Sequence, residues 1–397
     1  MSAFASQTDT IKTPAARRGS RLPTQFLSTK FFATQLLSKT LLSATLVSAM
    51  SFSAPTVMAA KPDVAVDEGA NISQSTAGFR GLSQISLSVR DLDSALAFYE
   101  EATGFAVIDR QDVSGSAVSD ELYGRSDIAF RSATLRAPNL LFELIEFPEN
   151  RDVPVEQMPP QGPGMTHTCF QSPIENPGFD RFDAAGAETI SYGGKPVDLG
   201  GYGVTYAYAY DPEGNMIELE QLDAKMLARS GYVNTETIGD HPLWMSQVAL
   251  ATHDIERLMG FYKDLLGFMP YRVAELKDNA KADAIAGIDN LHILGGWFRL
   301  NDSPKVLEIW EYKNPMTLEP SEARTPRSLG YSYVLEVDDA AEQHERMTTM
   351  GVETFSEPVA HGDGMRFYAR DIDGNVFAIH QPNDPGGEHA VSALDAR

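Results

Sequence analysis

The eight residues Asp211-Pro212-Glu213-Gly214-Asn215-Met216-Ile217-Glu218 return about 160 positions later as Asp371-Ile372-Asp373-Gly374-Asn375-Val376-Phe377-Ala378. A recurrence at this distance marks a duplicated framework, which constrains the fold more than any composition value does. An acidic turn leading into a strand sends alternate side chains to one face. The first copy can aim the Glu218 carboxylate from that face, whereas the second ends on Ala378 and cannot.

The rest of the repeat keeps the same order. Ser83-Gln84-Ile85-Ser86-Leu87-Ser88-Val89 alternates with period two and predicts a strand with Gln84, Ser86 and Ser88 on one face. Asp91 then predicts an N-cap, Leu92, Ala95, Leu96 and Phe98-Tyr99 a helix stripe, and Gly104 its end. The pattern restarts at Ser246-Gln247-Val248-Ala249-Leu250, with Asp254, Leu258, Phe261-Tyr262 and Gly267-Phe268. Phe142-Glu143-Leu144-Ile145-Glu146-Phe147 matches Leu307-Glu308-Ile309-Trp310-Glu311-Tyr312, and Met165-Thr166-His167-Thr168-Cys169-Phe170 matches Tyr331-Ser332-Tyr333-Val334-Leu335. Each copy thus divides into two strand-helix-strand units, and four units in tandem predict curled sheets with concave cavities. The expected boundaries are 60–78 for a flexible segment, 79–223 and 242–385 for the two domains, 224–241 for a linker and 386–397 for a tail.

A chain of 397 residues exceeds what one hydrophobic core usually organises. The formal net charge of −23 argues against nucleic acid or anionic membrane as a partner. Residues 1–59 stand apart, with six basic side chains and a single acid, Asp9, and an apolar run over 41–54 precedes Val57-Met58-Ala59. This segment predicts a signal peptide and a periplasmic or secreted product, with a mitochondrial or other organellar leader as the alternative. Its apolar run is too short for a mature membrane span. Cys169 is the only cysteine, which excludes an intrachain disulfide and a multi-cysteine zinc site.

Val89-Arg90-Asp91-Leu92, Phe98-Tyr99, Gly104-Phe105 and the Asp-Pro-Glu-Gly-Asn-x-Ile-Glu turn together resemble the vicinal oxygen chelate superfamily. That superfamily includes glyoxalase I, extradiol dioxygenases, and bleomycin and fosfomycin resistance proteins. The resemblance implies an α+β fold of tandem domains, each of two βαβββ units forming curled mixed or antiparallel sheets with helices outside. It also implies one divalent metal held from the first and last strands of the units, with open positions for two adjacent substrate oxygens.

Carried onto this chain, the ligand positions are Gln84, Glu143, His167 and Glu218, a set that looks like one form of the glyoxalase I site. The second copy has Gln247, Glu308, Tyr333 and Ala378 there. Units in the superfamily pair within a domain or crosswise. Crosswise pairing replaces Gln84 and Glu143 by Gln247 and Glu308, and either way one complete site remains, with His167 and Glu218 in it. Three oxygen ligands and one imidazole suit Zn, Ni, Mn, Co or Fe(II). A carboxylate there, Glu218 or Glu143, is the expected base for moving a proton between adjacent carbons.

Each residue also has a bland explanation. His167 shares the strand positions of Met165 and Cys169 and could be a satisfied core histidine, Glu218 and Glu220 could border a solvated edge strand, and Gln84 could simply bond backbone. Glu143 is in phase with Leu141, Ile145 and Phe147, where an unpaired carboxylate would be expensive. The alternating Tyr206, Tyr208 and Tyr210, with Tyr202, could line a cavity or be good strand formers. Cavity walls are expected from the loops at 112–125 and 149–164.

The expected function is a metal-dependent lyase or isomerase acting on a small molecule with adjacent oxygens, in a tandem-domain monomer or a homodimer. The alternatives are an extradiol-type ring-cleaving dioxygenase and a non-catalytic, resistance-type binding protein. Glyoxalase I places an Arg and an Asn four residues after its first two ligands. Here those positions hold Ser88 and Phe147, or Ala251 and Tyr312, which counts against a glutathione adduct as substrate.

Overall fold

The computed structural model describes residues 65–230, 240–301, 304–320 and 322–396. The leader expected over 1–59, and the export read from it, lie outside them. No helix among the described residues is long and apolar enough to cross a membrane.

Four units follow one another, each built around a strand, a helix and three further strands, with an extra short helix in the first and third and an extra short strand in the second and fourth. The first contains β1 (Phe79–Val89), α1 (Leu92–Thr103), β2 (Ala106–Ser114), β3 (Ala129–Arg136) and β4 (Leu141–Glu146). The second contains β5 (Gly164–Pro173), α2 (Gly178–Ala185), β6 (Glu188–Thr189), β7 (Val204–Tyr210) and β8 (Met216–Leu222). The third contains β9 (Gln247–Thr252), α3 (Ile255–Leu266), β10 (Arg272–Leu276), β11 (His292–Arg299) and β12 (Val306–Asn314). The fourth contains β13 (Gly330–Val337), α4 (Ala340–Thr349), β14 (Glu353–Thr354), β15 (Gly364–Arg370) and β16 (Val376–Pro382).

The units assemble into two mixed sheets, and each sheet takes one unit from each copy. The first runs β14-β15-β16-β13-β1-β4-β3-β2 and the second β10-β11-β12-β9-β5-β8-β7-β6. First and last strands of a unit are parallel, as in β1 with β4 and β5 with β8, while the seams between units are antiparallel. Of the two pairings that the sequence left open, the chain adopts the crosswise one. The approach to β9 shows how: Trp244 and Met245 lie antiparallel to β5 opposite Gln171 and Phe170. The Trp244 indole donates to Gln171 Oε1 at 2.8 Å, and Asn139 Nδ2 donates to the Met245 carbonyl at 2.7 Å. The chain is thus already laid on β5 when β9 begins.

Strand periodicity divides the paired glutamates of the repeat. Ile145 and Phe147, in step with Glu143, join a small cluster on the concave side, whereas Phe142 and Leu144 enter the large core shared with the helices. Glu146 is on that helix side, and its Oε2 accepts from the Leu92 amide at 2.9 Å, satisfying a donor at the start of α1. Asp91 caps the same turn through the Ser94 amide, and Glu213 accepts from the amides of Arg90 and Asp91. Gly104, at φ 69°, ends α1 in the left-handed region.

The repeated turns brace both themselves and the helices. Asp211 Oδ1 accepts from the amides of Glu213 and Asn215, and its Oδ2 accepts from Asn215 Nδ2 and, at 2.8 Å, from the Tyr99 hydroxyl of α1. Asp371 repeats the arrangement with Tyr262 of α3, again at 2.8 Å. Asp211 and Asp371 thus order their turns and pin a helix as well. Tyr99→Phe leaves the buried Asp211 one donor short and is expected to destabilise the fold by about 1–3 kcal/mol without shifting the far-UV spectrum, measured by urea denaturation.

Candidate metal centre

The concave face of the second sheet gathers His167 from β5, Glu218 from β8, Gln247 from β9 and Glu308 from β12. One ligand atom each from His167, Glu218 and Glu308 lie within 4.8 Å of one another, and all three side chains are buried. His167 Nε2 and Glu218 Oε2 stand 3.5 Å apart. Neither atom has a hydrogen-bond partner, and neither does Gln247 Oε1. A buried polar atom without a partner costs about 1–3 kcal/mol, so three of them lining one cavity mark it as a candidate for a bound ion.

His167 reaches this face through an irregularity that its sequence spacing concealed. The β5–β9 ladder pairs Ala249 with His167 and then Leu250 with Met165, so Thr166 is an extra residue, a β-bulge. The bulge reverses the alternation: Met165 enters the core with the helices, whereas His167 turns to the cavity and packs against Tyr208 with ring centroids 5.1 Å apart. The expectation that Met165 and His167 share a face is therefore corrected.

In the first sheet the same stretch of ladder runs without a bulge, Ser86 opposite Ser332 and Leu87 opposite Tyr331. The counterpart of His167 is thus Ser332, not Tyr333. Tyr333 lies in the core on the helix side, where its hydroxyl meets that of Tyr262 at 2.6 Å.

The neighbours of the cluster fix its chemistry. Thr166 Oγ1 lies 2.9 Å from His167 Nδ1 and 3.5 Å from the Ala249 carbonyl. A relay of Nδ1–H to hydroxyl to carbonyl is compatible with these distances and leaves the lone pair on Nε2. Glu308 is held at both oxygens by indoles, Trp297 Nε1 at 2.5 Å and Trp310 Nε1 at 3.1 Å. Glu218 accepts from Tyr208 and Cys169. Trp244 donates to Gln171, Gln171 Nε2 donates to Glu220 Oε2 at 2.5 Å, and Gln247 bonds Glu220 as well.

Burial in the absence of a cation pushes Glu218 up to about 8 and Glu308 up to about 7, and pushes His167 down to about 4. Each shift disfavours charge in the buried site; a divalent cation would reverse those of the two carboxylates and reinforce that of His167, which ligates as the neutral imidazole. Two carboxylates, an imidazole and an amide oxygen match the donor set of a borderline divalent ion.

Gln84 and Glu143 lie elsewhere, in the concave face of the first sheet, so they are not partners of His167 and Glu218. Gln84 Nε2 donates to Glu143 Oε2 at 2.6 Å, Ser86 Oγ donates to the same oxygen at 3.1 Å, and Arg366 donates to Gln84 Oε1 at 3.3 Å. Desolvation raises Glu143 and the Arg366 charge opposes that shift. With Ser332 and Ala378 as the remaining positions, this face has the charge balance of a structural cluster.

A cavity of about 300 Å³ opens beside Glu218, Gln247 and Glu308. Tyr202, Tyr206 and Tyr208 line it, whereas Tyr210 packs in the adjoining cluster. Its other walls come from β10, β11, β12 and the short helix Ala280–Ala286, not from the loops at 112–125 and 149–164. Trp297, Trp310 and Glu220 were not identified from sequence. The spacing Glu218-x-Glu220 was the available signal for the last of these, since it puts both carboxylates on one face.

The sequence profile described as Glyoxalase/Bleomycin resistance protein/Dioxygenase superfamily matches residues 81–219 and 244–379, and the chain belongs to that family. Among solved structures, glyoxalase I from Zea mays is 19% identical with a TM-score of 0.50, over 76% of this chain and 92% of that one. A mutant 4-hydroxymandelate synthase from Streptomyces coelicolor is 14% identical over 80% and 98%, TM-score 0.29. The fosfomycin resistance protein FosX from Listeria monocytogenes is 20% identical over 37% and 97%, TM-score 0.25. No curated protein sequence matches the chain.

The shifted groups give the metal-free protein a specific pH dependence. Folded-state values above the unfolded 4.5 for Glu218 and Glu308 mean that stability falls as pH rises toward 8, because the unfolded chain releases those protons first. His167 acts oppositely only below its unfolded 6.5. Between pH 6.5 and 8 the metal-free protein is expected to lose on the order of 2 kcal/mol, a loss that added divalent metal abolishes; denaturation curves with and without chelator measure it.

Proposed function

We propose that the cavity of the second sheet is the single site of a metal-dependent lyase or isomerase, acting by proton transfer on a small molecule with vicinal oxygens. The observation that carries this reading is the convergence of the unpartnered His167 Nε2 and Glu218 Oε2 on the Glu308 carboxylate, in a cavity that Gln247, whose Oε1 is also unpartnered, helps to line. These four side chains would hold the ion. When bound, a divalent ion would polarise adjacent carbonyl and hydroxyl oxygens of a substrate.

The chain's own residues divide the remaining work. Two indole donors hold Glu308 in place, so it positions and balances charge. Glu218 keeps Oε2 without a hydrogen bond, next to the imidazole, and is the general base: it takes the proton from the hydroxyl-bearing carbon beside a carbonyl and returns it to the former carbonyl carbon, as the hydroxyl proton passes to the former carbonyl oxygen. The aromatic walls exclude water from that exchange. The cluster contains one imidazole, where the resemblance to extradiol dioxygenases implies two.

Metal stoichiometry tests the reading and its assignment together. His167→Ala and Glu308→Gln are expected to lower retained metal at least tenfold, with Glu143→Gln leaving it unchanged. Glu218→Gln is expected to lower turnover by about 10²–10⁴-fold. Full ligand binding by a wild-type protein that retains no metal would sink the enzymatic reading and leave a binding protein.

A further inference from the structure

Beyond the oxygens that would face the ion, the cavity has a second end with a different character. Ile285 and Ala286 of the short helix, with Leu199, Leu276, Leu291 and Ile293, line it with aliphatic carbon. Tyr206, Tyr208 and Trp310 pack with these aliphatic side chains, and Trp297 lines the cavity as well. Trp297 and Trp310 meet edge to face, with centroids 5.0 Å apart, while their indole nitrogens are directed to Glu308. Each indole therefore presents its polar atom to the cluster and keeps carbon for the rest of the cavity.

Charge is distributed to match. Among the described residues, Arg272 is the one basic side chain lining the cavity, and its guanidinium lies 4.5 Å from the Trp297 ring centroid. Four carboxylates line the same space, Glu218, Glu220, Glu275 and Glu308. A divalent ion would offset Glu218 and Glu308, Glu275 pairs with Lys277 at 3.1 Å and His292 at 2.7 Å, and Glu220 and Arg272 remain, so the lining presents no cluster of cations to an anionic substrate tail. Ala251 and Tyr312, where the glyoxalase I resemblance implies Arg and Asn, add no cation either.

We infer that the substrate is an uncharged aryl- or branched-alkyl-substituted compound with vicinal oxygens, such as an α-hydroxycarbonyl, with its apolar group seated against Ile285, Ala286 and Ile293. The inference rests on the metal-site reading above and adds the class of the substituent. A volume of about 300 Å³ sits at the low end of the roughly 300–1,000 Å³ of small-molecule sites and suits one ring or short branched chain, not a peptide conjugate. Selectivity would follow from desolvation: a carboxylate placed in the aliphatic end would be buried without a partner.

Hydroxamates, which present two adjacent oxygens, test this with the full chain loaded with Zn(II) or Ni(II). Metal uptake is first measured alone, and then acetohydroxamate, benzohydroxamate and 4-carboxybenzohydroxamate are titrated calorimetrically. Benzohydroxamate is expected to bind roughly tenfold more tightly than acetohydroxamate or better, from the extra apolar area buried, and the para-carboxylate is expected to abolish the gain. Equal affinities for the first two, or tightest binding by the carboxylated ligand, would overturn the inference while leaving the metal site standing. If the protein takes up no metal, the two readings fall together.

Discussion

The site depends on one antiparallel seam, where β5 of the first copy meets β9 of the second and Ala249 lies opposite His167. Neither copy holds the donors alone: His167 and Glu218 come from one side of the seam, Gln247 and Glu308 from the other. The parallel partners β8 and β12 are each bound to a seam strand, Cys169 opposite Glu218 and Ala249 opposite Glu308, so the four side chains are fixed by backbone ladders and not by loops. A cluster built this way has little freedom to relax.

The second seam, between β1 and β13, has the same topology and a different outcome. Gln84 and Glu143 occupy the positions of Gln247 and Glu308, yet Gln84 turns its amide nitrogen to Glu143, and Arg366 takes the remaining amide oxygen. Ser332 and Ala378 stand where His167 and Glu218 do. A guanidinium and a neutral amide thus meet the electrostatic need of the carboxylate that a metal would meet in the other sheet. One framework thus supplies two sheets whose concave faces carry different side-chain clusters.

Most of this organisation was legible in the sequence because it rests on short-range patterns. Period-two strands, aspartate caps, helix stripes and the two acidic turns are local rules, and Glu218 against Ala378 is a difference visible at one position. The choice of seam was not legible, since Ser83-Gln84-Ile85-Ser86 and Ser246-Gln247-Val248-Ala249 offer nearly the same edge to any partner, and pairing is settled by distant contacts such as Trp244 with Gln171. The Thr166 bulge was hidden for a different reason. A one-residue insertion leaves composition and pattern almost unchanged while it moves every following side chain to the opposite face. Tyr333 was matched to His167 by counting residues, and Ser332 by register.

The same bulge gives the histidine its chemistry as well as its direction. Without the extra residue, strand alternation would put position 167 on the face of Met165, in the core with the helices. With it, Thr166 is released from the ladder, and its hydroxyl comes to rest between His167 Nδ1 and the Ala249 carbonyl across the seam. The irregularity therefore turns the imidazole to the cavity and supplies the group that can hold the proton on Nδ1. A regular strand could provide the first only by shifting all its neighbours, and could not provide the second, because a hydroxyl at the preceding position would face the opposite side of the sheet.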